Sequence, residues 1–124
     1  MRVIMHNEND LELRDFNQPE FEVQAEDPEA HYSALQMFAT SMALCTYSVL
    51  VAYSEQIDAT TDDIVVKIQW SYADDPFRIG AIDMSIDWPQ LPESRLAAAK
   101  RVAEQCTLHH TLAHPPRVTT SVQR

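Results

Sequence analysis

The first residues of the chain alternate between apolar and polar positions. Val3 and Met5, then Leu11 and Leu13, then Phe21, Val23 and Ala25 recur at every second residue, the period of a strand packed on one face. Asn7-Glu8-Asn9-Asp10 and Asn17-Gln18-Pro19 place turn-forming residues between these runs, so residues 1–26 read as three short strands.

The pattern then changes. Between Glu29 and Glu55 there is no Asp, Glu, Lys or Arg. Ser33 followed by Gln36 has capping-box spacing, which predicts a helix from Ser33 to Ser54, roughly 33 Å long. Its apolar residues (Leu35, Met37, Phe38, Met42, Leu44, Val49, Leu50 and Val51) fall all round the cylinder, so the helix is expected to be buried on every side. Its length would suit a membrane span. However, Gln36, Thr40, Ser41, Thr46 and Ser48 lie within it, and acidic instead of basic residues flank it, which favours a core helix and no membrane. One sheet and one more helix can hardly enclose so long an apolar helix. A second copy across a two-fold axis would supply the cover, so a homodimer is expected.

Beyond it, Ile64, Val66, Ile68, Trp70 and Tyr72 again share one parity, and Ala73-Asp74-Asp75-Pro76 makes a turn. In Phe77–Trp88 the parity switches between Ile79 and Ile82, with Gly80 at the change, the mark of a β-bulge. Pro92 opens a second helix whose apolar stripe is Leu96, Ala99, Val102, Ala103 and Cys106, with Lys100, Arg101 and Glu104 on its wet side. Val118–Val122 reads as a short last strand. The order βββ–α–ββ–α–β predicts an α+β fold of antiparallel sheets around the long buried central helix, in a single domain over residues 1–124.

Composition narrows the function. The net charge of −10 argues against a nucleic-acid partner. One glycine, Gly80, excludes the dinucleotide fingerprint and the Walker phosphate loop. The first residues lack the pattern of a signal peptide, so a cytoplasmic setting is expected, in which two cysteines form a transient disulfide more readily than a structural one. His109, His110 and His114 with Cys106 match no familiar zinc spacing. They read as residues of a helix end, and neither metal nor cofactor is expected. Asp58–Asp63 lacks the ligand spacing of a calcium loop. Trp70, Trp88 and Tyr72 read as core packing.

Two stretches remain. Ser33-Ala34-Leu35-Gln36-Met37-Phe38-Ala39-Thr40-Ser41-Met42-Ala43-Leu44-Cys45 is a capped apolar helix with small residues before a cysteine. Ala103-Glu104-Gln105-Cys106-Thr107-Leu108-His109-His110-Thr111-Leu112 is a cysteine followed by Thr-Leu pairs. Together, with the Asp-Asp-Pro-Phe-Arg turn between them, they resemble the two signatures of the OsmC-like family over about residues 30–122. The resemblance implies an intertwined homodimer with sites at the subunit interface. It also implies a thiol peroxidase reducing organic hydroperoxides, with Cys45 peroxidatic, Cys106 resolving and an external dithiol as reductant. Family members that reduce hydroperoxides carry an acid near the start of the central helix that positions an arginine over the thiolate. Here that place reads Leu35-Gln36, and Arg2 and Arg14 are the candidate cations. A non-catalytic relative holding a small apolar ligand between subunits is the alternative.

On the residues themselves, Cys45 lies beyond the first turn of its helix, where the dipole no longer helps an anion. Cys106 is expected near the C-terminal end of the second helix, where the dipole opposes a thiolate. That placement favours Cys45 as the nucleophile.

Overall fold

A computed structural model describes all residues, Met1–Arg124. Strands β1 (Arg2–Asn7), β2 (Asp10–Arg14), β3 (Glu22–Ala25), β4 (Val65–Ala73) and β5 (Arg78–Asp87) form one sheet in the order β3-β1-β2-β4-β5. The alternation at the start of the chain has the expected consequence. Val3, Met5, Leu11 and Leu13 are buried, and β1 and β2 pair antiparallel with Val3 opposite Leu13. Ile64, Val66, Ile68 and Trp70 continue that apolar face through β4.

The third strand departs from expectation. β3 runs parallel to β1, not antiparallel, and all four of its residues are exposed. It is an edge strand held by its backbone, so its alternation of Phe21, Val23 and Ala25 reports no packed face. Val118–Val122, read as a last strand, joins no sheet and is exposed.

The bulge is where the parity change places it. On β4, Ser71 and Tyr72 are successive, while their partners on β5 are Ala81 and Ile79, so Gly80 is the extra residue. A Cβ on Gly80 would lie 2.8 Å from the Cβ of Ala73, which only glycine avoids. The bulge turns Ile79, Ile82, Met84 and Ile86 to one face. The chain makes its left-handed turns without glycine: Asp15, Asp58 and Asp75 all have positive φ.

Helix α1 spans Ala34–Ile57. The Ser33 backbone N–H and hydroxyl donate to Gln36 Oε1 at 3.0 and 2.8 Å, closing the capping box. Gln36 Nε2 donates to the carbonyl of Glu8 at 2.5 Å, tying the start of α1 to the β1–β2 turn. At the other end, Asp58 in the left-handed conformation donates its N–H to Ser54 O.

The helix lies across one face of the sheet, with Ala39, Met42, Ala43, Tyr47, Leu50 and Tyr53 in the core. Its length and a mean hydropathy of 1.5 would suit a membrane span, but the sheet supplies the apolar partner. It is not buried on every side. Met37, Ser41, Leu44, Ser48 and Ala52 form an exposed row along the side away from the sheet, the i, i+4, i+7 spacing of one helix stripe.

The second helix is not continuous. After a 3-10 turn at Glu93–Arg95, α2 covers Leu96–Ala103, the chain bends through Glu104–Cys106, and α3 covers Thr107–Ala113. Both helices pack against α1. Trp88 Nε1 donates to the carbonyl of Thr60 at 2.7 Å, and Trp70 Nε1 to the hydroxyl of Tyr72 at 3.1 Å. Each indole is therefore buried with its donor satisfied, as core packing requires.

Candidate functional site

The bend between α2 and α3 changes the setting of Cys106. The residue lies two positions past the C-cap of α2 at Glu104 and caps the N-terminus of α3, where its Sγ accepts the backbone N–H of His109 at 3.3 Å. The C-terminus of α2, expected beside this residue from the sequence, is therefore offset by the N-terminus of α3. Burial decides the balance instead. The thiol has no exposed surface, and loss of hydration pushes its pKa up. The His109 N–H and the Thr46 side chain act in the opposite sense, and Cys45 adds to the rise. No charged side chain is among the groups that set its acidity.

Cys45 comes to this place from the middle of α1 and is partly exposed. The fold thus brings the two sequence-predicted cysteines together as neighbours. Both are free thiols, and they stand beyond disulfide distance. The candidate cations go elsewhere: Arg2 pairs with Asp15, and Arg14 lies 3.9 Å from Glu12. Gln36, in the place of the family acid, spends its amide on Ser33 and Glu8. It is engaged in holding the helix start, not in placing an arginine.

Beside the thiols lies a cleft of about 640 Å³, within the size range of small-molecule sites. Met42, Thr46 and Leu50 of α1 form its floor, and Ile82, Met84 and Ile86 of β5 form one wall with Trp88 and Leu91. The opposite wall is Leu96, Ala99, Lys100 and Ala103 of α2 with Glu104, and His109, Leu112 and Ala113 of α3. Lys100 and Glu104, expected on the wet side of the helix, line this cleft instead. The cleft is where the half-buried row of β5 and the stripe of α2 fail to close on one another.

Sequence reasoning missed the cleft. In sequence both rows look like ordinary apolar faces, with nothing to separate a packed face from one that borders a space. The break at Glu104–Cys106 carries no glycine or proline to announce it. Of the three histidines, His114 is the C-cap of α3, His110 is exposed on it, and His109 lies in its first turn and gives its backbone N–H to Cys106. No group of three metal-binding side chains is gathered anywhere in the fold.

Neither a protein-family profile nor a curated protein sequence matches the chain. A solved structure does. It is a protein of Psychrobacter arcticus described as an osmotic stress induced and detoxification response protein. The two superpose with a TM-score of 0.60 at 20% sequence identity, over 68% of this chain and 62% of that one, so the likeness spans under two thirds of the relative's length. A long capped helix on a five-stranded sheet with further helices makes the fold of this chain OsmC-like, as the two signatures implied, although its sheet is mixed and its second helix is broken.

Proposed function

We propose that the protein is a two-cysteine thiol peroxidase that reduces organic hydroperoxides, with Cys45 peroxidatic and Cys106 resolving. The observation that carries this reading is a pair of free thiols on different elements, near enough for Cys45 to act on the acidity of Cys106, beside a largely apolar cleft. The structural relative's description as a detoxification response protein agrees with it.

The chemistry follows from the two settings. The partly exposed Cys45 attacks as thiolate on the outer peroxide oxygen. The O–O bond breaks, the alkoxide leaves and takes a proton as alcohol, and Cys45 becomes a sulfenic acid. Cys106 then attacks the Cys45 sulfur, hydroxide leaves as water, and the disulfide forms. An external dithiol restores both thiols by exchange. The order is favoured by the electrostatics. A charged Cys45 raises the pKa of Cys106, and its conversion to a neutral sulfenic acid removes that repulsion. Closing the disulfide requires the bend at Glu104–Cys106 to shift toward α1.

The exposed, uncharged row of Met37, Ser41, Leu44, Ser48 and Ala52 supports a homodimer in which a second copy covers α1. That copy is one source for a cation beside Cys45, and Lys100 in the cleft wall is another. A cytoplasmic setting goes with this reading, because the cycle needs its thiols reduced between turns.

The deciding experiment is a thiol titration before and after one equivalent of cumene hydroperoxide. Rapid loss of both thiols, abolished in Cys45→Ser, is the expected result. Thiols that survive peroxide and react only in denaturant would overturn it. The second reading is a non-catalytic protein holding a small apolar ligand. It is favoured by the cleft being lined by Thr46 and not by Cys45, and it predicts a ligand affinity unchanged by Cys45→Ser.

A further inference from the structure

The chain has five methionines, and two of them line the cleft. Met42 lies in its floor on α1 and Met84 in its wall on β5. They carry the only sulfur atoms among the lining residues, which include neither thiol. A molecule held in the cleft therefore lies against thioethers.

A thioether is not inert toward the substrate proposed for this site. Its sulfur carries a lone pair and has no proton to lose, so it takes an oxygen atom from a hydroperoxide without first ionising. In free solution that reaction is slow. Binding raises the local concentration of the hydroperoxide and holds it beside the sulfur. The lining selects the reagent: twelve of its sixteen residues are apolar, which favours a hydroperoxide with a hydrocarbon body over hydrogen peroxide.

We propose that Met42 and Met84 are the oxidation sites of the cleft, and that their oxidation closes it to further apolar ligand. The thioether sulfur attacks the outer peroxide oxygen, the O–O bond breaks, and the alkoxide leaves with the proton of the transferred hydroxyl. The thioether is oxidised to sulfoxide, the hydroperoxide is reduced to alcohol, and no other reactant is needed. Each sulfoxide sets a strong hydrogen-bond acceptor in an apolar lining, which disfavours apolar contents. While Cys45 is a thiolate it competes for the same peroxide. Once it is in a disulfide, the two thioethers are the reducing groups left at the cleft. The inference takes from the peroxidase reading only that an apolar hydroperoxide enters the cleft.

Two other methionines are controls. Met5 is as buried as Met42, 3% against 4% exposed, but does not line the cleft, and Met37 is 52% exposed on the outer row of α1. Cys45→Ser leaves only the buried Cys106 thiol to compete for peroxide. In that protein, sulfoxide at each methionine is followed by peptide mass mapping, with N-acetylmethionine in the same solution as a free thioether. With cumene hydroperoxide, Met42 and Met84 should oxidise about tenfold faster than the free thioether, with saturating kinetics, while Met5 and Met37 do not. With hydrogen peroxide, no methionine should outrun the free thioether. Saturating cumyl alcohol, the product of the model peroxide, should abolish the advantage of Met42 and Met84 and leave Met37 unmoved. Rates at Met42 and Met84 no greater than that of the free thioether would overturn the proposal, as would an advantage that survives cumyl alcohol or is equal with hydrogen peroxide.

The consequence is read by binding. After treatment with cumene hydroperoxide, affinity for cumyl alcohol should fall about tenfold. The double variant Met42→Leu with Met84→Leu, which conserves side-chain volume, should show no fall, and an equal fall in both proteins would count against the sulfoxides as its cause. If the double variant folds poorly, Met84→Leu alone, at a half-buried position, should show a smaller fall than the parent. Thiols inert to cumene hydroperoxide would sink the peroxidase reading and leave this one standing. Methionines that stay reduced beside reacting thiols in the wild type, and in Cys45→Ser as well, would do the reverse.

Discussion

Helix α1 and the α2–α3 segment each carry an apolar stripe and one of the two cysteines, yet they are built in opposite ways. α1 has one capped start, 24 unbroken residues and no charge before Glu55. Its inner face is fixed by the sheet. The α2–α3 segment is two short helices joined at a bend, lying over an open cleft with Lys100, Glu104 and His109 in its wall. The first region specifies a position in space; the second has room to change. Cys45 belongs to the first and Cys106 to the second. The thiol cycle proposed for the pair would call for one fixed partner and one that moves.

The comparison is most severely tested by damaging the fixed side. Leu50 has no exposed surface and packs between α1 and the sheet. Leu50→Ala should cost about 2–5 kcal/mol, seen as a lower denaturant midpoint at constant slope. A cost under about 1 kcal/mol would mean that α1 is not the fixed element. Next is Gly80→Ala, which sets a Cβ 2.8 Å from that of Ala73. The expected loss is about 1–3 kcal/mol, with β4 and β5 amides exchanging faster than those of β1 and β2. Gln36→Ala removes the capping-box acceptor and the bond to Glu8. About 1–2 kcal/mol should be lost, with early exchange confined to the first turn of α1.

On the α2–α3 side the contrast should reverse. Leu96 is 59% exposed and lines the cleft. Leu96→Ser should leave the unfolding midpoint within about 0.5 kcal/mol of the parent, while weakening binding of cumyl alcohol several-fold. A large stability loss there would show that α2 is core after all.

The smallest effect concerns neither helix. The hydrogen bond that His6 Nδ1 donates to the Glu26 carboxylate at 2.8 Å holds the pKa of His6 above its ordinary value, against some loss of hydration. The folded state binds this proton more tightly than the unfolded one. The contribution of His6 is therefore complete below its unfolded pKa and fades as pH rises through the folded value. His6→Gln should flatten that part of the stability–pH profile and leave the acid side otherwise alike.

Much of this was legible in the residues. Period-two alternation found β1, β2 and β4, the parity change at Gly80 found the bulge, and Ser33 with Gln36 found the helix start, because each is a local signal read against a local rule. The two cysteine stretches led to the right fold. What escaped is non-local. β3 looks half-buried in sequence, but its partner is decided by where β1 lies. Cys106 fits the stripe of one long helix, and the bend that caps α3 with its sulfur is set by packing against α1. The cleft could not be read at all, because an apolar row looks the same whether it meets another row or leaves space before it.

The three left-handed aspartates give the acidity of this protein a second meaning. Asp15, Asp58 and Asp75 occupy turns where glycine is the usual occupant and asparagine the next. In a chain with a single glycine, part of the negative charge is a by-product of how corners are made. Replacing these three with asparagine would remove three of nineteen acidic side chains while keeping a residue that tolerates the same backbone. Surface charge and chain geometry are thus separable here, and solubility can be tuned without redrawing the path of the chain.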